Sequence, residues 1–271
     1  MRIALGQINM VWEDKKASLV KAEAMIQEAA EQKADLIVFP EMSLTGFTMD
    51  AAVMGEDEDY SWTVEQMERL ALQHQISIGF GWAGYSDAAR QRVHNHFTVV
   101  NAEGQRIADY TKIHPFSFGG EADVVEAGDQ IVTFPLLGRK LALFVCYDLR
   151  FPEVFQAATK LADIVLVIAN WPAVRRDHWT TLLRARAIEN QAYVVGVNCV
   201  GEYNGERYSG DSAAYDAIGD PLGMISDREG VLICELDDRA WSLREKFRSK
   251  QDRREELYMQ LFQMDDSFTQ R

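Results

Sequence analysis

The stretch LALFVCYDLRFPEVF, residues 141–155, joins an apolar run to a polar turn and then to a proline. The apolar residues before Cys146 predict a buried strand. Pro152 suits the first turn of a helix, where its missing N–H is not needed. Two interpretations of Cys146 are open at this point. It is either a small core residue that ends a strand or a nucleophile held at a strand-to-helix turn.

Before and after this stretch, segments with apolar residues at helical spacing are followed by short apolar runs. Three such pairs occur: ASLVKAEAMIQEAAEQKA with DLIVFP, TVEQMERLALQHQ with ISIGFGWAG, and EVFQAATKLA with DIVLVIANWP. Repeated β-α-β units are typical of buried sheets that are covered by helices. The sequence therefore predicts an α/β protein.

Other strands have no helix between them, and their connections NAEGQ, LLGRK and DREG are typical of hairpins. The sheets are therefore expected to be mixed. No linker or repeat divides the chain, so we predict a single domain over residues 1–271. A charged helical extension from about residue 240 is expected to pack on this subunit or on a neighbouring one. The acidic stretch MGEDEDYSW, residues 54–62, is interpreted as a solvated loop.

Composition limits the classes of function. A formal net charge of -14 disfavours nucleic acid or an anionic membrane as a partner, because phosphate binding needs clustered Lys and Arg. The N-terminus lacks a long apolar region, and no run of roughly eighteen apolar residues occurs. The three cysteines are widely separated and form no CxxC pair. We therefore expect a cytoplasmic protein that acts on a small molecule and has neither disulfides nor a zinc site.

Polar residues that follow apolar strands are the places to look for chemistry, because ligands gather at the carboxyl ends of strands in α/β proteins. Glu41 follows DLIVFP, Lys112 follows RIADYT, and Cys146 follows LALFV. A thiol with an ordinary pKa near ~8.5 needs a base or a nearby cation to react at neutral pH. Glu41 offers the base and Lys112 the cation, and Lys112 with the backbone N–H of Tyr147 offers an oxyanion site. These groups together suit acyl transfer through a thioester.

Each of these residues also has a structural interpretation. A cysteine that ends an apolar strand is commonly a core residue. A Pro-Glu pair at a strand end is commonly a turn, and a lysine after a strand commonly points at water. Spacing and composition alone do not decide between the two interpretations.

The motifs FPEMSLTGF, YTKIHPF, CYDLRFPE and NWPAVRRDHWTTLLRARAIENQAYVVGVNCVG together resemble the nitrilase superfamily of carbon-nitrogen hydrolases. The likeness extends from GQIN to GDPLGMISDREGVL. It implies a Glu-Lys-Cys triad on Glu41, Lys112 and Cys146, with Cys146 forming the thioester. It also implies that a second glutamate, Glu121, orients Lys112 or assists proton transfer. The implied fold is a four-layer α-β-β-α sandwich, usually paired as a homodimer through helices that include the one after the cysteine, and assembly into a higher homo-oligomer is left open.

Within the superfamily, CYDLRFPE and ANWP look like the omega-amidase group, which hydrolyses dicarboxylic acid monoamides such as 2-oxoglutaramate. Members that hydrolyse nitriles tend to carry Trp-Glu after the cysteine, whereas Tyr147 and Asp148 stand here. A substrate carboxylate needs a cation, and Arg150 is a candidate, although an ion pair with Glu153 is equally expected. Asn170 and Trp171 are expected near the pocket.

Other functions are open. An N-carbamoyl hydrolase uses the same triad and also binds a carboxylate through arginine, and a strict nitrilase or a non-catalytic scaffold is less favoured. No cofactor and no metal are expected. His94 and His96 share one face of a predicted strand, but the sequence shows no third ligand beside them. Cys199 and Cys234 are interpreted as core residues.

Overall fold

The computed structural model describes residues 1–263. Within that range the strands form two sheets. The strands are β1 (Arg2–Gln7), β2 (Leu36–Val38), β3 (Gly55–Glu56), β4 (Ser77–Tyr85), β5 (Val93–Val100), β6 (Arg106–Thr111), β7 (Val125–Glu126), β8 (Thr133–Leu136), β9 (Arg139–Val145), β10 (Ile164–Ala169), β11 (Tyr193–Asn198), β12 (Val200–Tyr203), β13 (Glu206–Tyr215), β14 (Pro221–Ser226) and β15 (Gly230–Glu235). The helices are α1 (Lys15–Glu31), α2 (Ala51–Met54), α3 (Trp62–His74), α4 (Glu121–Val124), α5 (Pro152–Ala158), α6 (Arg176–Asn190), α7 (Arg239–Lys246) and α8 (Glu255–Phe262).

The two sheets are both mixed, as the hairpin connections predict. The first sheet has the order β15-β1-β2-β4-β5-β6, with β3 beside β4 and β7 beside β5. The second has the order β12-β13-β11-β10-β9-β8, with β14 beside β13. Strands linked through helices, such as β1 with β2 and β9 with β10, are parallel. Strands linked by hairpins, such as β8 with β9, are antiparallel.

The sheets pack face to face and helices cover their outer faces. Leu5 and Val38 of the first sheet share one buried cluster with Leu143 of the second. On the other face of the first sheet, α1 and α3 pack over Ile37 and Phe80. On the second sheet, α6 packs so closely that a Cβ at Gly196 would lie 2.4 Å from Leu183. The predicted four-layer α-β-β-α sandwich is therefore confirmed.

The C-terminal segment packs on its own chain through α7. Ala240 is fully buried, and the Arg244 guanidinium donates to the carbonyls of Gln191 (2.9 Å) and Ala162 (3.1 Å). Helix α8 buries none of its residues in this chain. The end of the predicted extension, residues 264–271, lies outside the described range. Within the described range, no helix is long and apolar enough to cross a membrane.

The acidic stretch at residues 54–62 is more ordered than the interpretation as a solvated loop implied. Met54 is buried, and the Glu56 carboxylate accepts from Lys15 Nζ (2.7 Å) and from the Thr63 backbone N–H (2.8 Å) at the start of α3. Burial would raise the pKa of Glu56, but these donors outweigh it and lower the pKa. The paired carboxylate ties this segment to α1 and α3, which composition could not show.

The central strands of the second sheet provide a test of the packing. Leu166 on β10 is fully buried between the layers, so Leu166→Ala is expected to lower the free energy of unfolding by about 2–5 kcal/mol. The matched control is Leu72→Ala on α3, where the side chain is 55% exposed and the change should stay within about 0.5 kcal/mol. Urea denaturation measures both, and equal losses would contradict the described burial.

Candidate active site

Cys146 lies at a sharp turn between β9 and α5. Its φ of 48° places a non-glycine residue in the left-handed region, which costs free energy and persists only when neighbouring contacts hold it. The turn is a 3-10 helix, Cys146–Arg150, and its buried Asp148 accepts from the backbone N–H of Val145 (2.9 Å) and from Tyr110 Oη (2.7 Å). These bonds fix the turn on both sides of the cysteine. Cys146 taken as a whole residue is intermediate between buried and exposed, and it lines a cavity.

The Glu41 carboxylate is fully buried and held from three directions. Its Oε1 accepts from Lys112 Nζ (2.9 Å) and from Asn95 Nδ2 (2.8 Å), and its Oε2 accepts from the Asn170 backbone N–H (2.9 Å). The Asn170 side chain also donates to the Glu41 carbonyl, at 2.6 Å. A carboxylate held in this way has little freedom to change its position.

Lys112 lies between two carboxylates and is also fully buried. Its Nζ donates to both oxygens of Glu121 (2.8 Å each) as well as to Glu41. Glu121 in turn accepts from the Phe116 backbone N–H (2.6 Å) and from Asn95 Nδ2 (3.1 Å). Burial alone would lower the pKa of Lys112, but the charges of Glu121 and Glu41 outweigh it and raise the pKa. The lysine therefore stays cationic.

The electrostatics keep Cys146 protonated in the resting protein. Burial raises the pKa of its thiol well above the ordinary value, the charge of Glu41 raises it further, and Lys112 opposes them. A buried carboxylate beside a neutral thiol is suited to accept its proton when a substrate arrives. This arrangement suits a thiol that loses its proton to Glu41 only when it attacks a bound substrate.

A cavity of about 350 Å³ opens above Cys146. Its walls combine aromatic rings with two cationic side chains and one carboxylate: Trp12, Phe47, Phe116, Tyr147, Trp171, Tyr203 and Tyr208 with Arg150, Arg175 and Glu206. The size suits a small molecule, and the cations suit an anionic group on it.

The sequence profile of the carbon-nitrogen hydrolase family matches residues 2–245. The chain belongs to this family. The 2-oxoglutaramate amidase of Bacillus subtilis (strain 168) is 34% identical over 262 residues, covering 94% of this chain and 98% of the relative. Omega-amidase YafV of Yersinia enterocolitica is 39% identical over 224 residues, covering 81% and 83%. The resemblance to the nitrilase superfamily is thus confirmed.

Solved structures agree with this membership in the carbon-nitrogen hydrolase family. XC1258 from Xanthomonas campestris, a CN-hydrolase superfamily protein with an arsenic adduct in its active site, has a TM-score of 0.86 and 31% identity, covering 93% of this chain and 97% of that one. A mutant amidase from Nesterenkonia sp. AN1, in which acrylamide has added to the active site cysteine, has a TM-score of 0.86 and 26% identity, covering 96% and 99%.

Arg150 lines the cavity of this carbon-nitrogen hydrolase, and among the described residues its guanidinium contacts His178 and Trp171 and forms no ion pair with Glu153. Its guanidinium lies 4.8 Å from the centre of the Trp171 ring, and one of its nitrogens lies 3.3 Å from His178 Nδ1. Of the two alternatives left open for Arg150, the described conformation therefore favours the position at the cavity over the ion pair with Glu153. Stacking on Trp171 instead holds the cation at the wall of the cavity without neutralising it.

Asn170 and Trp171 both lie at the cavity, as expected, and they make different contacts. Asn170 holds Glu41 through its backbone and its side chain, so it positions a carboxylate as well as lining the cavity. Its Oδ1 is buried and accepts no hydrogen bond from the described residues. Trp171 forms a wall and donates through Nε1 to the Arg175 carbonyl, at 2.9 Å.

Sequence reasoning missed Asn95 and Arg175. Asn95 bridges Glu41 and Glu121, and its signal was available: on an alternating strand it faces away from His94 and His96. Arg175 lies on the loop before α6 with its guanidinium 5.8 Å from the Phe116 ring centre, and no spacing rule indicates that contact. Cys199 and Cys234 are buried, as their interpretation as core residues predicts.

The charge of Glu41 gives a testable pH dependence. In Glu41→Gln one anion beside Cys146 is removed while Lys112 remains, so the pKa of the thiol should fall and thiolate should appear at lower pH than in the wild type. The ultraviolet absorbance of thiolate, measured against a Cys146→Ser reference, reports the titration. Glu103→Gln on an exposed turn is the control, and an unchanged or raised pKa in Glu41→Gln would refute this account of the site.

Proposed function

We propose that this carbon-nitrogen hydrolase is an omega-amidase, which hydrolyses the terminal amide of a dicarboxylic acid monoamide such as 2-oxoglutaramate and releases ammonia. The observation that carries the proposal is the position of Cys146 beside the Glu41–Lys112–Glu121 cluster, at the base of a cavity that Arg150 and Arg175 line. The names of the relatives from Bacillus subtilis and Yersinia enterocolitica support the same substrate class.

The first half of the proposed reaction forms a thioester. Glu41 takes the thiol proton as the sulfur of Cys146 attacks the amide carbon, and the carbonyl π electrons move to oxygen. Lys112 Nζ and the backbone N–H of Tyr147 stabilise that oxyanion; Tyr147 is the second residue of the 3-10 turn, where N–H groups lack partners within the helix. When the carbonyl re-forms, the C–N bond breaks and the nitrogen leaves as ammonia, taking the proton from Glu41.

The second half uses water. Glu41 removes a proton from a water molecule, the hydroxyl attacks the thioester carbon, and the same donors stabilise the second oxyanion. Collapse breaks the C–S bond, returns the proton from Glu41 to the sulfur and releases the carboxylic acid, which loses its proton to the released ammonia or to solvent and becomes the dicarboxylate. Glu121 takes no part in the bond changes in this scheme. It positions Lys112 by accepting from its Nζ. Its charge also outweighs the effect of burial and raises the pKa of Lys112, so the lysine acts as a fixed cation.

The cavity supplies contacts for both ends of the proposed substrate. Asn170 Oδ1, which accepts no hydrogen bond from the described residues, is suited to accept from the amide nitrogen of the substrate. A buried acceptor without a partner destabilises the protein, and a donating ligand would remove that free-energy cost. Arg150 and Arg175 are suited to bind the distant carboxylate, because guanidinium groups pair with carboxylates in bidentate geometry.

We propose in addition that the enzyme is a cytoplasmic homodimer. Its three cysteines are free, which suits a reducing compartment. Helix α8 exposes apolar side chains, among them Leu261 at 55% and Phe262 at 74%, which suits contact with a second subunit.

The nucleophile is tested by Cys146→Ala. Ammonia release from 2-oxoglutaramate should fall by at least about 10³-fold while circular dichroism is unchanged, because covalent catalysis is lost and the fold is not. Cys234→Ala, which removes a core thiol, is the matched control and should keep most of the activity. Residual activity above about a hundredth of the wild type, or an acyl adduct on another residue by mass spectrometry, would overturn the assignment.

The substrate class has a separate test in the wild type. Carbon dioxide released with ammonia from a ureido acid, without monoamide hydrolysis, would favour an N-carbamoyl hydrolase.

The carboxylate contact is tested by Arg150→Met, which keeps much of the apolar stem and removes the charge. The kcat/KM for a monoamide with a free carboxylate should fall about 10–100-fold, corresponding to loss of a charged hydrogen bond of about 1.5–3 kcal/mol. The kcat/KM for a neutral amide of similar length should change little. Arg69→Met on the exposed face of α3 is the control. Equal losses for charged and neutral amides would refute carboxylate recognition by Arg150.

A further inference from the structure

Three potential ligands for a metal ion converge on the first sheet, away from the Cys146 cavity. His94 and His96 project from one face of β5, and Glu58 reaches them from the connection between β3 and α3. His94 Nδ1 lies 2.7 Å and His96 Nε2 lies 3.2 Å from the same oxygen, Glu58 Oε1. All three ligand atoms lie within 4.8 Å of one another.

We propose that Glu58, His94 and His96 bind a divalent transition-metal ion such as Zn²⁺. The donor set favours this class of ion, because two imidazole nitrogens suit zinc, cobalt or nickel, whereas magnesium and calcium prefer oxygen ligands. Ligand atoms around a tetrahedral zinc ion lie roughly 3.3 Å apart for the bond lengths that zinc prefers. The cluster approaches that spacing, so small side-chain movements would admit the ion.

The second nitrogen of each histidine also faces a carboxylate, which is the arrangement that orients histidines at metal sites. His96 Nδ1 lies 3.1 Å from Asp109 Oδ2 on β6, and His94 Nε2 lies 3.8 Å from Glu126 Oε2 on β7. Each imidazole ring therefore faces Glu58 with one nitrogen and another carboxylate with the other nitrogen. The His96–Asp109 contact is at hydrogen-bonding distance, and the His94–Glu126 contact is a longer ion-pair contact.

His96 is held further by the groups around it. Its ring stacks on Trp82 with the ring centres 4.6 Å apart. Trp82 Nε1 donates to Thr98 Oγ1 (2.8 Å), and Thr98 donates to Asp109. These contacts position His96 before any ligand arrives, which lowers the cost of binding. His94 and Glu58 are 28% and 41% exposed in their side chains, so an ion and a water ligand can reach the site.

A proton is the competing occupant of His96. Burial lowers its pKa, but Asp109 and Glu58 outweigh burial and raise the pKa to about 9. Other charged or titratable groups near the cluster in the described residues are His94 on the same strand, Glu126 on β7, Arg92, which pairs with Glu126 (3.3 Å), and Arg106, whose charge acts on Asp109. Metal binding must displace the His96 proton, so the affinity for the metal should rise as the pH rises.

The proposed ion would act as a structural clamp. It would join the segment at Glu58 to β5, whose Asn95 faces the opposite way and holds Glu41 and Glu121. No step of amide hydrolysis uses the ion, so this inference stands or falls independently of the proposed function.

The test uses the full chain carrying Cys146→Ala, which removes the accessible thiol as a competing ligand. Co²⁺ is titrated at pH 8 and followed by visible absorption, and equilibrium dialysis measures Zn²⁺ bound per chain. The expected result is one ion per chain with a four-coordinate cobalt spectrum. His94→Ala and Glu58→Gln should each weaken binding at least tenfold, and both spare the buried His96. His74→Ala on α3, outside the cluster, is the matched control and should change nothing.

Two outcomes would overturn the proposal. One is the absence of saturable Co²⁺ or Zn²⁺ binding in the millimolar range. The other is unchanged affinity in His94→Ala and Glu58→Gln, which would place the ion elsewhere. In either case the cluster would be a network of ion pairs between protonated histidines and carboxylates.

Discussion

The buried ionic cluster of Lys112 with Glu41 and Glu121 is the interaction on which the site depends. Three charged side chains with no exposed surface are costly, and removing one partner from such a group commonly costs about 3–5 kcal/mol. The cluster persists because amide and backbone donors satisfy the carboxylates: Asn95, Asn170 and Phe116. Those donors come from separate elements, so the cluster forms only when both sheets are in place. Stability and chemistry therefore depend on the same contacts.

A second constraint is the strained turn at Cys146. Asp148 offsets the strain by accepting from Val145, Tyr110 and the backbone of His114, and so ties the turn to β6 and to the loop that follows it. Lys112 lies on that same connection. Because one buried carboxylate joins the two segments, the distance between nucleophile and cation is set by the fold. Flexible side chains alone would not maintain it.

The charges around Cys146 also explain how a thiol with a raised pKa can be reactive. Two anions and one cation surround Cys146, and the net effect with burial is a raised pKa. A stable thiolate would bind metals and oxidants without any substrate, whereas a neutral thiol beside a fixed base reacts when a carbonyl is in place. In the proposed mechanism, the substrate then supplies the oxyanion that Lys112 stabilises.

The sequence by itself determined the α/β class, the mixed sheets and the family, and the family resemblance predicted the triad of Glu41, Lys112 and Cys146. These follow from hydrophobic periodicity and short motifs, which are local properties of the chain. Tertiary structure alone decided that Asn95 bridges the carboxylates, that Arg150 stacks on Trp171, and that Glu58 joins His94 and His96. The physical reason is that each of these contacts joins residues from different elements. Their separation depends on how the strands and loops pack together, and no local pattern encodes that distance.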